Sequence, residues 1–124
     1  MKKKTNKMYL EDTIERIKDL RNFLQKNEHQ IIMGNNPELH GTMISEVGLI
    51  EYAAEQCGLG RLNIAYRLIM LDDIDGLTYD YGVGVPEDHN SAEYEEWKEQ
   101  EYNRIREELH RIINTIEIAL QNYE

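Results

Sequence analysis

The sequence predicts an all-α fold, a bundle-like domain of four helices, two long and two short. Three observations carry the prediction. Apolar residues recur in steps of three and four over long segments. Pro37 and Pro86 both fall outside the strongest of those segments. Glycine-rich breaks stand where one periodic segment gives way to the next. The 124 residues suit one domain, read as a basic tail over 1–7 and a single helical domain over 8–124.

The first helix is expected from Met8 to Met33. Leu10, Ile14, Ile17, Leu20, Leu24 and Ile31 share a face that Phe23 widens. Gly34-Asn35-Asn36 stops it, because Gly and Asn accept the left-handed conformation of helix ends. Asn36 then caps a second helix with Pro37 in its first turn. Leu39, Met43, Val47, Ile50, Ala54 and Cys57 line its inner face, and Gly58-Leu59-Gly60 ends it. Gly41 and Gly48 weaken the segment, so Thr42 is an alternative start. A short third helix is expected from Arg61 to about Leu71, with Leu62, Ala65, Leu68 and Ile69 inward.

The fourth helix has the spacing of a capping box, with Asn90 as cap and Glu93 reaching back. Tyr102, Ile105, Leu109, Ile112, Ile116, Ala119 and Tyr123 then form a heptad seam. The two long helices exceed what a small globule needs. Their apolar stripe is therefore expected to be covered by a second copy, giving a homodimer or higher homo-oligomer. Between the third and fourth helices lies an acidic stretch, 72–90, expected as a solvated loop or a small β-excursion around Thr78 to Val85.

Charge is unevenly placed. The net charge is −10, yet residues 1–71 are nearly neutral and the last 53 residues hold the excess. A field of that sign repels phosphate backbones and attracts basic partners. No apolar run has the length of a membrane span, and the one cysteine, Cys57, fits a reducing compartment. Both point to a cytoplasmic protein.

Catalytic and metal chemistries each lack a residue. Asp73-Ile74-Asp75-Gly76 looks like part of a calcium loop, but the first and twelfth ligand positions hold Leu71 and Gly82. His29, His40, His89 and His110 stand in no zinc spacing. Glu107-x-x-His110 has no second copy to complete a di-iron bundle. The clustered carboxylates of helical nucleotide pyrophosphohydrolases fail at Leu49 and across Arg61 to Leu71. Cys57 has no nearby histidine, and Arg104, Arg106 and His110 share one helix instead of flanking a break. No enzyme, cofactor or metal is expected.

One local pattern stands out. In Ala53-Ala54-Glu55-Gln56-Cys57-Gly58-Leu59-Gly60-Arg61-Leu62-Asn63-Ile64, a small residue permits close helix approach, Gly58 supplies the turn, and Leu59 and Ile64 pack. The segment resembles the core of a bacterial helix-turn-helix of the Fis type, over about 16 residues. The resemblance implies a DNA-binding regulator that reads bases with Arg61, Asn63, Tyr66 and Arg67. Glu46, Glu51 and Glu55 would then stand near phosphates, which opposes that use.

The favoured expectation is a non-enzymatic regulatory protein of inhibitor, antitoxin or immunity type, of the kind that mobile elements and phages carry. It would engage a basic surface on a partner protein through Asp72, Asp73, Asp75, Tyr79, Asp80, Tyr81, Glu87, Asp88, Glu95, Glu96 and Trp97. DNA binding is the alternative, and a nucleotide pocket lined by tyrosines between protomers is the second alternative.

Overall fold

The computed structural model describes residues 6–58, 62–81 and 84–123. Every regular element among them is helical. They are α1 (Asn6–Lys26), α2 (Glu28–Met33), α3 (Pro37–Gln56), α4 (Ile64–Ile69), α5 (Ile74–Gly76), which continues as a π-turn over Leu77–Tyr81, and α6 (Ala92–Tyr123). The expected pair of long helices is corrected to three, because α3 runs 20 residues beside 21 for α1 and 32 for α6.

The expected first helix is divided at Asn27. Its side-chain amide donates to the Phe23 carbonyl at 2.9 Å, the same acceptor its backbone N–H uses at 3.0 Å. Asn, a residue that competes with backbone hydrogen bonds, sits at φ −105°, ψ 16° and bends the chain there. Asn6 and Lys7 of the expected tail belong to α1, and residues 1–5 lie outside the described residues. The stop at Gly34 (φ 77°) and Asn35 (φ 61°) is left-handed, and Asn36 caps α3 by accepting from Leu39 N at 3.1 Å.

α1 packs on both α3 and α6, and α4 bridges α3 and α6, so these four close a ring. Ile17, Leu24, Val47, Ile50, Ile64, Leu68, Leu109, Ile112 and Ile116 fill its interior. α2 continues along α6 and meets α5. The middle of the α6 seam is thus buried inside one chain: Ile105, Leu109, Ile112 and Ile116 are at most 1 % exposed, Tyr102 and Ala119 are half-buried, and the Tyr123 side chain lies outside the described residues. This removes the reason given above for covering the stripe with a second copy.

Other boundaries shift for local reasons. α4 begins at Ile64, not Arg61, because Asn63 is left-handed (φ 59°); residues 59–61 lie outside the described residues. Ile69 faces outward at 53 % exposure, and Ile64 takes the buried position instead. The cap of α6 is Ser91, not Asn90. Its hydroxyl donates to the Asp88 carbonyl at 2.7 Å and accepts from Tyr94 N at 3.1 Å, so the Asn90–Glu93 box is not made. The stretch 72–90 is part helix, with Ile74 and Thr78 buried and no strand among its described residues.

Candidate interaction face

The acidic stretch is held by its own side chains. Asp73 caps α5, accepting from Gly76 N at 2.6 Å. The Thr78 hydroxyl donates to the Ile74 carbonyl at 2.7 Å and lies 3.3 Å from the Tyr94 hydroxyl, tying the π-turn to α6. Gly34 passes so close that a Cβ there would stand 2.5 Å from the Asp73 carboxyl. The end of α2, α5 and the start of α6 therefore meet at one place.

A row of rings crosses that place. Tyr79 meets His89 edge-on at 5.9 Å between centroids, His89 stacks on Tyr94 at 4.5 Å, and Tyr94 stacks on Trp97 at 5.7 Å. Lys98 Nζ lies 5.6 Å from the centre of the Tyr94 ring. Beneath the row is a cavity of about 310 Å³ that Asp75, Thr78, Tyr79, Tyr94 and Lys98 help to line. A second cavity, about 260 Å³, lies beyond Gly34 and Asn35 and shares Asp75 with the first. Asp75 forms no hydrogen bond or ion pair among the described residues.

Only some of the expected residues come together here. Asp75, Tyr79 and Trp97 belong to the row or its cavity, and Asp88 sits beside His89 where it accepts from Asn90 N at 2.9 Å. Glu87 is exposed just before it. Asp72 does not join them. It pairs with Arg104 at 3.0 Å in a groove between α4 and α6. Asp73 caps α5 and lines the second cavity, away from the ring row. Glu95 pairs with Lys98 at 3.3 Å, and with Glu96 it borders another cavity, against Met33 and Tyr102. Asp80 and Tyr81 lie in the π-turn, but their side chains lie outside the described residues. The sequence reading missed His89 and Tyr94. The i, i+3 spacing of Tyr94 and Trp97 was the available signal.

The acids near α4 are neutralised internally. Burial opposes the charge of Arg104, but hydrogen bonds to Glu101 and Asp72 outweigh it and raise its pKa. Burial likewise works to raise the Glu108 pKa. Hydrogen bonds from Arg111 and Arg67 prevail, and hold the carboxyl below the ordinary range. At the α2–α6 junction, burial and the nearby Glu28 raise the Tyr102 pKa against a smaller opposing effect of Arg106. The His29 Nδ1 lies 3.0 Å from that hydroxyl, and His110 pairs with Glu28.

The residues expected to read DNA are arranged otherwise. Glu51 accepts from Ile64 N at 2.6 Å and Ala65 N at 3.1 Å, so a carboxylate covers the start of α4, where a phosphate would approach. Arg67 donates to Glu108 at 3.1 Å and to Thr115 at 3.0 Å. Asn63 precedes the helix, Tyr66 is exposed, and Arg61 lies outside the described residues.

No described helix is long and apolar enough to cross a membrane, and no cluster of His, Cys, Asp or Glu among the described residues could hold a metal ion. Compared with known proteins, the chain matches no family model, no curated protein and no solved structure.

Proposed function

We propose that the protein is a non-enzymatic binding protein that captures a basic surface on a partner protein. The row Tyr79–His89–Tyr94–Trp97 is the contact, and Asp75, Glu87 and Asp88 supply its charge. The observation that carries the reading is the joining of four rings from separate parts of the chain near Asp75 and Asp88, which form no ion pair among the described residues. Aromatic rings give desolvated area and accept guanidinium or ammonium groups on their faces. The carboxylates speed encounter and select the partner by sign. An inhibitor, antitoxin or immunity-type role fits this chemistry, since such proteins cover functional basic surfaces of others. Compared with the face expected from sequence, this one is smaller and excludes Asp72, Asp73, Glu95 and Glu96.

Trp97 is the chain's one tryptophan and reports on the row directly. Titration with an arginine-rich peptide should change its emission, and moderate salt should weaken the response. Tyr79→Ala and the pair Asp75→Asn with Glu87→Gln should each weaken binding about tenfold or more. Equal binding by those variants and the parent chain would refute this face.

A further inference from the structure

α4 carries three large side chains away from the core: Tyr66, Ile69 and Met70, exposed by 70, 53 and 61 %. Their i, i+3, i+4 spacing puts them on one side of the helix. Single exposed apolar residues are ordinary, but three together on so short an element mark a contact surface. Tyr66 and Met70 also border a groove of about 340 Å³ between α4 and α6. The charges along that groove are matched within the chain: Arg104 with Asp72, and both Arg67 and Arg111 with Glu108.

The surrounding sequence narrows the occupant. From Gln56 to Leu71 there is no Asp or Glu, the longest acid-free run in a chain of net charge −10. We propose that the outer face of α4 is the contact between two copies of this chain. Related by a two-fold axis, each copy sets Tyr66, Ile69 and Met70 against the same residues of the other. Two copies repel wherever their acids meet, and α4 brings no acid of its own to this face. Nucleic acid is disfavoured at the same place, because Glu51 covers the helix start and Arg67 is held by Glu108. This self-contact does not depend on the partner-capture reading and uses none of its residues.

Sedimentation of the full chain should show a monomer–dimer equilibrium in the micromolar range, as a small face supports. Ile69→Glu sets like charges against each other across the axis and should weaken the dimer at least about tenfold. The pair Tyr66→Ser and Met70→Ser should do the same by removing apolar contact. All three side chains are exposed, so circular dichroism and the melting temperature should stay near those of the parent. Tyr79→Ala should leave the dimer unchanged. A parent chain that stays monomeric throughout, or a dimer that Ile69→Glu leaves intact, would overturn the proposal. So would a monomer that shifts DNA until Ile69→Glu abolishes the shift, which would assign the face to nucleic acid.

Discussion

Single residues set the candidate face more than helix propensity does. Gly34 has φ 77°, and a Cβ there would meet the Asp73 carboxyl. Gly34→Ala should therefore destabilise the fold by about 1–3 kcal/mol, from left-handed backbone strain and the displaced cap of α5 together. Urea unfolding measures the change, and a stability equal to the parent's would show that the close approach carries no weight. Asn27 and Glu51 act at the same scale. Each uses one side chain to satisfy backbone groups, Asn27 by bending the chain after α1 and Glu51 by starting α4 from a neighbouring helix. The sequence could show that Asn27 competes with the backbone. It could not show that Glu51, thirteen residues before Ile64, would reach that helix, because the contact exists only after α3 and α4 pack.

At the scale of elements, periodicity made α3 and α6 legible, along with the stop at Gly34 and the cap at Asn36. Periodicity reports a face and says nothing of what covers it. The seam of α6 was therefore read as needing a second copy, when α1, α2 and α4 cover it within the chain. The stretch 72–90 was hard to read for another reason. Its helical turns are short and are held by Asp73 and Thr78, with Ile74 as the buried anchor, so no repeating pattern announces them. The aromatic row was half legible: Tyr79 and Trp97 drew notice as ring-bearing residues among acids, whereas His89 joins them only through the turn that Asp88 and Ser91 build. Gly41 and Gly48 lie inside α3, facing open space. Gly41→Ala and Gly48→Ala should each stabilise the protein by about 0.5–1 kcal/mol, since alanine loses less backbone freedom on folding. A higher melting temperature checks this. A fall for Gly48→Ala would mean that α3 is covered there by something outside the chain.

For the whole molecule, the ring α1–α3–α4–α6 closes partly through ions. Arg67 of α4 reaches Glu108 and Thr115 of α6, and Glu108 also meets Arg111. The folded-state pKa of Glu108 lies below its ordinary value, so its contribution is present above the unfolded carboxylate range and is lost as pH falls through the folded value. The parent should thus lose more stability than Glu108→Gln between neutral pH and about pH 3, below the ordinary carboxylate value. Denaturant midpoints at the two pH values test it, and parallel losses would show that the pair adds nothing. The negative charge does not form one sheet across the second half of the molecule. Part of it is matched on the α4 side, and part is left beside the rings.

Bringing Gly34 against Asp73, and Thr78 against Tyr94, has a consequence for when this surface can exist. The rings and cavity need residues from the end of α2 through Trp97 in place at once, and α6 must dock before Tyr94 can stack. A chain still emerging from the ribosome carries all the tyrosines of this region before it has a shaped surface. Neither the ring row nor its cavity can therefore form before the start of α6 is in place, and a chain ending before Ala92 would lack both.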